Sequence, residues 1–397
     1  MKTKLPRIGL LGRVVIAIAL GIGAGYIFPD WIARIFATVN TLFSSFLGFI
    51  IPLLILGFVA PAIADIGKRA GSMLLVTVLV AYAMTFCSGI ISYLTGATVF
   101  PKILANAANF GSQLAADAPD LTPKPFFSID ITPMMTVTTA LVFAFVLGFA
   151  CAIRPDTTAT LKRLLDDFRT VIQLMIEKVI VPLLPLYIFG IFMSMTAAGT
   201  VGPILVTFIK IIAVIFVLHV GILVLQYAIA SLFSGRNPFR CLWTMMPAYA
   251  TALGTQSSAA TIPVTLERTI KMGVRKDVAG FVIPLCATIH MSGSTLKIVA
   301  CALALMIVHG MPYDIGMFAG FIAMLGITIV AAPGVPGGAI MASLGLLSSI
   351  LGFSDADNAM MIALYIAMDS FGTACNITGD GAIAQIIDRI FAKNKTN

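Results

Sequence analysis

Uncharged apolar runs of membrane-crossing length recur from Val14 almost to the C-terminus. Each is near the ~20 residues that a helix needs to cross ~30 Å of hydrocarbon. A water-soluble surface cannot solvate such runs, and the composition leaves no alternative: 59% of the 397 residues are hydrophobic and only 11% are charged. In lipid every backbone polar group must be satisfied within the chain, so the runs predict helices. The expected class is an all-α polytopic membrane protein.

A formal charge of +8 would also suit a nucleic-acid partner. The basic residues, however, cluster at the ends of apolar runs with few interleaved aromatics, which is a topology signal and argues for no nucleic acid. Lys2, Lys4, Arg7 and Arg13 precede the first span and place the N-terminus in the cytoplasm. No small-residue cleavage pattern follows, so the segment reads as a retained helix. Spans are predicted at 12–29, 40–64, 71–99, 132–153, 172–198 and 202–233. Inner loops then carry Lys68, Arg69, Arg154, Lys162, Arg163, Arg169, Arg236 and Arg240, against Arg34, Lys102 and Lys124 outside. Residues 101–131 are too polar to span and read as an external loop. Pro182 and Pro185 should kink the fifth span, each lacking a backbone donor. The cysteines, with no Cys-x-x-Cys spacing, read as packing residues rather than a disulfide or zinc framework.

The second half departs from this regularity. The uncharged stretch from Arg240 to Glu267 has basic clusters at both ends, so a single crossing would strand one of them outside. Its centre, Gly254-Thr-Gln-Ser-Ser-Ala-Ala-Thr-Ile-Pro263, is small and Pro-punctuated, which predicts a hairpin over 236–276 that enters from the cytoplasm and returns. A helix over 277–309 follows. The next run, 314–354, holds the breaker Pro333-Gly-Val-Pro-Gly-Gly338 between acidic, external flanks and predicts a second hairpin from the opposite face. A last helix over 358–391 ends in Arg389, Lys393 and Lys395, again cytoplasmic. The prediction is thus eight transmembrane helices plus two re-entrant hairpins. The repeat of hairpin and helix in inverted orientation points to the binding site of a secondary transporter.

Between Val278 and Ile387 the ionisable groups at membrane depth are Lys297, Asp369 and Asp380, with His290 beside them. Charges there are costly and mark function by default; the bland alternative is a structural polar pair between helices. On one helix Asp369, Asn376 and Asp380 fall within about 20° of a line, with Gly372 and Thr373 within about 60°. One face therefore offers two anionic stations, about 16 Å apart along the axis, with amide and hydroxyl groups between them. One carboxylate suits an ammonium group and the other a small hard cation. The segment Ala287-Thr-Ile-His-Met-Ser-Gly-Ser294 should unwind locally and free carbonyls for a cation. Ser292 and Ser294 can equally bond back to their own helix. Ser257 and Ser258 at the first hairpin tip suit a substrate carboxylate.

Four motifs in order resemble the dicarboxylate/amino acid:cation symporter family, the glutamate transporter homologues. They are Ser257-Ser-Ala-Ala-Thr-Ile-Pro-Val-Thr265, Pro284-Leu-Cys-Ala-Thr-Ile-His-Met-Ser-Gly293, Gly334-Val-Pro-Gly-Gly338 and Asp369-Ser-Phe-Gly-Thr-Ala-Cys-Asn-Ile-Thr-Gly-Asp380. The resemblance implies a homotrimer in the inner membrane, embedded in lipid. It also implies a scaffold in 1–235, whose third and sixth helices travel with a transport domain in 236–397, and an elevator motion between the two faces. By motif position Asp369 would receive an amino-acid substrate's ammonium, with Thr373, Asn376, Ser258, Ser294 and Val335 as further contacts. Asp380 with the backbone of Cys286, His290 and Asn376 would form one sodium site. Thr288, Met291 and Ala332 would contribute to a second, giving one or two Na+ ions.

Two departures bear on substrate and coupling. Acidic-substrate members carry Arg where this chain has Gly372, so a buried dicarboxylate would lack its cationic partner. That favours symport of a small neutral amino acid such as serine, threonine or alanine. The family's Asn-Met-Asp-Gly-Thr reads His290-Met-Ser-Gly-Ser294, and the missing aspartate weakens a third sodium site. Lys297 adds a charge that the family pattern lacks; it can replace a cation, pair with a carboxylate, or clamp an acidic substrate. His290 is a side chain able to take up and release a proton, which leaves proton coupling open. A hydrolase with Ser257 or Ser258 as nucleophile and His290 as base lacks any motif joining them, so no enzyme is expected, and a passive channel would not concentrate its substrate.

Overall fold

The computed structural model describes residues 9–68, 72–105, 123–199, 201–330 and 337–392. Among the described residues the regular structure is entirely helical. The first part contains α1 (Leu10–Ile27), α2 (Asp30–Lys68), α3 (Ser72–Ile103), α4 (Val137–Ile153), α5 (Ala159–Met175), α6 (Val181–Ala197) and α7 (Val201–Ser234). The second contains α8 (Pro238–Thr255), α9 (Ser258–Lys271), α10 (Lys276–Ile289), α11 (Ser292–Val308), α12 (Ile315–Val330), α13 (Gly338–Leu351), α14 (Asp355–Ala367) and α15 (Asp369–Ala392).

Among the described residues six helical stretches are long and apolar enough to cross a membrane, and the bent pair α14–α15 makes a seventh if taken as one span. The chain is therefore a polytopic membrane protein. Large apolar side chains such as Leu20, Leu79, Val146, Val217 and Leu232 are exposed on its outer faces.

Several boundaries differ from the sequence expectation. The second helix begins at Asp30 rather than at 40, because Asp30 supplies a favourable negative charge in its first turn. The fourth starts at Val137, where the Thr136 hydroxyl accepts the Thr139 amide at 3.2 Å, leaving only 17 residues. The fifth is longer than expected: the polar α5 runs through a π turn at Ile176–Ile180 into α6. That wide turn lies immediately before Pro182, whose ring cannot sit over a regular preceding turn.

The larger correction concerns the end of the chain. Instead of one helix over 358–391, α14 and α15 meet at Met368 with a bend of 62°. Ser354 opens α14 with a reciprocal capping box to Asp357, and Met368 then leaves helical geometry at φ −116°, ψ 12°. Asp369 is accordingly a first-turn residue of α15, where a carboxylate is favoured by the helix dipole.

The central element is α15, which packs against α3, α7, α8, α9, α10 and α11. From Gly372 to Asp388 every one of its residues is buried. Ion pairs anchor its far end: Arg275 Nε meets Asp388 Oδ1 at 2.7 Å, with Arg236 Nη2 3.8 Å from Oδ2. Helices α3 and α7, although early in sequence, pack on α11 and α15. The remaining early helices pack mostly among themselves, α1 on α6 and α2 on α4, α5 and α6.

Candidate functional site

Three chain breaks converge on α15. The first joins α8 to α9, which pack against each other. Asn237 caps α8 ahead of Pro238, and Gln256 turns the chain with a left-handed φ of 54°. Ser257 then caps α9 by accepting the Ala260 amide at 3.3 Å, while Ser258 begins that helix, half-buried. The Ser257 hydroxyl is thus engaged with its own helix. Gln256 Nε2 reaches across to donate to Ser370 Oγ at 2.8 Å, a link that no spacing in the sequence announced.

At the second break the chain leaves the helix at His290 and Met291, between α10 and α11. The Asn376 side chain fills that gap. Its Oδ1 accepts the Gly293 and Ser294 amides at 2.8 and 3.3 Å, and its Nδ2 donates to Ser294 Oγ at 3.0 Å and Met291 Sδ at 3.4 Å. An Asn is suited to this because it carries both donors and an acceptor. From α3, Thr85 Oγ1 accepts the Met291 amide at 3.2 Å. Ser88 and Ser92 donate to the Ser292 and Leu296 carbonyls at 2.9 and 2.7 Å. Gly293 permits the approach of α15, since a Cβ there would lie 2.6 Å from Cys375 Cβ.

The third break, at Met368, carries Asp369. Its Oδ1 receives Lys297 Nζ at 3.1 Å, and its Oδ2 accepts the Gly337 amide, at the start of α13, at 2.7 Å. Thr373 Oγ1 donates to the Asp369 carbonyl at 3.1 Å. Lys297 also lies over the Tyr365 ring, whose hydroxyl donates to Ser294 Oγ at 3.3 Å.

About three turns onward, two further groups meet around Asp380. His290 Nδ1 faces Asp380 Oδ1 at 2.9 Å and the Asn376 carbonyl at 3.2 Å, both acceptors, so this nitrogen carries a proton. His290 Nε2 faces Gln226 Nε2 at 3.4 Å. Asp380 Oδ2 is buried without a partner among the described residues, as is Gln226 Oε1. A buried carboxylate oxygen with nothing to accept is costly, and a small hard cation is the kind of transported ligand that these oxygens fit.

The structure thus gathers Asp369, Thr373, Gly372, Asn376, Ser294, Met291, His290, Lys297 and Asp380 into one continuous polar strip. One expected member stands apart. Thr288 is exposed and its hydroxyl donates to Leu285 O at 2.8 Å within its own helix, which takes it out of the cluster. Cys286 is buried, and its carbonyl accepts the His290 amide at 2.9 Å. Ala332 and Val335 lie outside the described residues. Tyr365, Gln226, His219 and Gln256 join the strip without having been singled out. His219 Nε2 lies 3.1 Å from Gly293 O. The signal for both His219 and Gln226 is a polar side chain in a strongly apolar span, outside the half of the chain that holds the four motifs.

The family model described as "Sodium:dicarboxylate symporter family" matches residues 10–390. A protein named serine/threonine transporter SstT, from Acinetobacter baumannii strain ATCC 17978, is 27% identical over 399 residues, covering 96% of this chain and 97% of its own. The protein of the same name from strain AYE is 26% identical over the same shares. With the family model spanning nearly the whole of a chain whose buried polar strip runs along its last helix, the protein belongs to the sodium:dicarboxylate symporter family.

Proposed function

We propose that this symporter couples sodium to the uptake of a small neutral amino acid, serine, threonine or alanine. The carrying observation is a charge balance. Lys297 is the sole Lys or Arg between Lys276 and Arg389, and its ammonium lies 3.1 Å from Asp369. The pair sums to zero. A zwitterion adds no net charge to it, whereas an acidic amino acid would add an unpaired buried anion, which is strongly disfavoured. The serine/threonine transporters of similar sequence support the same reading.

Asp369 receives the substrate ammonium in this reading, and the α9 N-terminus with Ser257 and Ser258 faces the carboxylate. Thr373, Asn376 and Ser294 contact the substrate or position groups that do, and Val335 is a further contact by its motif position alone. One sodium ion takes Asp380 Oδ2 and backbone carbonyls; a second, where present, uses Met291 and the segment holding Ala332. Hydrolysis by Ser257 or Ser258 with His290 finds no place in a family of symporters.

The larger frame is also a proposal. Both hairpins are re-entrant, giving eight full spans, and α3 and α7 move with 236–397 as a transport domain in an elevator cycle, a division supported by their packing on α11 and α15. The remaining early helices form a homotrimeric scaffold in the inner membrane, with both termini cytoplasmic.

Uptake of labelled serine, threonine, alanine and aspartate into proteoliposomes, with and without an inward sodium gradient, tests the substrate and the coupling together. Accumulation of aspartate with none of the three others would sink the neutral reading. One observation favours that outcome: a Cβ on Gly372 would lie 2.7 Å from Lys297 Nζ, so the lysine head occupies the ground from which an Arg at 372 would start. As an acidic clamp, Lys297→Met would abolish aspartate binding and spare neutral ligands.

A further inference from the structure

If Asp369 is the amino-group station, as proposed above, that station is filled by the chain itself. Lys297 Nζ lies 3.1 Å from Oδ1, and the Gly337 amide 2.7 Å from Oδ2. An ammonium has three donors and no acceptor. Around Nζ stand three acceptors: Asp369 Oδ1, the Met368 carbonyl at 3.4 Å and the face of Tyr365, 3.4 Å to the ring centroid. The Met368 carbonyl is available because α14 stops there.

The space for the lysine head is made by Gly372. A Cβ at that position would lie 2.7 Å from Nζ, 2.9 Å from Cε and 3.2 Å from Cδ. The lysine is fully buried, so its charge is committed to these partners and not to solvent. Two features on separate helices, a lysine in α11 and a glycine in α15, combine to put a tethered primary ammonium where a free one would bind.

We propose that Lys297 is a built-in counter-ion that occupies Asp369 in the substrate-free carrier and that the substrate's ammonium displaces. This rests on the reading of Asp369 as the amino-group station. The consequence for the cycle follows from charge. An empty carrier with a bare Asp369 carries an unpaired anion into the membrane interior and is held back. With Lys297 in place the empty site is neutral, and the Gly337 amide satisfies the second carboxylate oxygen. The same occupancy weakens substrate binding, because apparent affinity scales with the fraction of carriers whose station is free. When substrate arrives, the Met368 carbonyl and the Tyr365 face are there to hold the displaced lysine head.

The test uses full-length Lys297→Met in proteoliposomes, with Lys297→Gln as a second charge-removing variant should the first fail to fold. The probe is whichever amino acid the wild type accumulates. Net uptake into vesicles lacking internal substrate requires the empty carrier to return, whereas exchange against unlabelled internal substrate does not. The expected result is a ratio of exchange to net uptake at least about tenfold above wild type, with substrate affinity tightened by a similar factor of about ten. Weakened affinity with net uptake and exchange falling in parallel would overturn the proposal, since a group that clamps substrate or merely holds the fold behaves in that way. A wild type that accumulates no amino acid defeats the underlying reading instead. An active wild type whose variants lose both modes equally defeats only the counter-ion.

Discussion

Asp369 and Asp380 lie on the same buried face of α15 but keep different company. Asp369 has both oxygens engaged, by Lys297 and by the Gly337 amide, whereas Asp380 keeps Oδ2 unpaired beside His290. Substitution at the two should therefore separate two functions. Asp369→Asn leaves Lys297 as a buried cation without its counter-charge, which costs about 3–5 kcal/mol, so both the melting temperature in detergent and amino-acid binding should fall sharply. Asp380→Asn removes the formal charge from the oxygen cluster while keeping its shape. The sodium concentration for half-maximal uptake should rise by about tenfold or more, equivalent to ~1.4 kcal/mol, with the substrate dependence at saturating sodium much less affected. Equal sensitivity of both variants to sodium would argue against two stations. The cost of charge at membrane depth made these carboxylates legible from sequence, and helical spacing put them on one face. Their partners were not legible in that way, because Lys297 and Asp369 sit on different helices whose register only tertiary packing sets.

Close approach between helices shapes the next level. On α1, a Cβ at Gly21 would lie 2.5 Å from the Phe189 carbonyl oxygen, and one at Gly25 would lie 2.7 Å from that of Met193. Both obstacles are backbone atoms of α6, which cannot yield as a flexible side chain can. Small residues drive such contacts in membranes, so Gly21→Val should force α1 from α6 and cost about 1–3 kcal/mol, read as a lower melting temperature. The exposed-side Gly23, with nothing within 4 Å of its would-be Cβ, should tolerate Ala within about 0.5 kcal/mol. Apolar length made α1, α3 and α7 readable, while Pro and Gly clusters marked the hairpin regions. The polar α5 was missed because Lys162, Arg163, Asp166 and Arg169 suggested a loop, although Lys162 and Arg169 both pair with Asp166 along the helix, at 2.6 and 3.0 Å. The bend at Met368 was missed for a plainer reason: Tyr365-Ile-Ala-Met-Asp369 contains neither Gly nor Pro, and the contacts at the break, from Lys297 and the Gly337 amide, join residues distant in sequence.

For the molecule as a whole, the arrangement around α15 concentrates polar groups inside and leaves apolar side chains on the outer faces. A carrier of this kind concentrates its substrate only while the coupled ion runs down its own gradient. Serine accumulation should therefore collapse to equilibration when a sodium ionophore is added, and a proton ionophore alone should leave it largely intact if His290 is not the coupling group. The reverse pattern would assign coupling to the proton. The proposed homotrimer predicts that cross-linking or mass measurement of the purified protein in mild detergent reports three copies. Tyr365 offers a way to watch the cycle in the intact carrier. An ammonium 3.4 Å from the ring centroid perturbs the phenol's electronic states, and a shift of that head off Asp369 and over the ring changes that field. A near-ultraviolet difference spectrum between substrate-free and substrate-loaded protein, absent in Tyr365→Phe, would make this ring an intrinsic optical gauge of where the lysine head stands at each step.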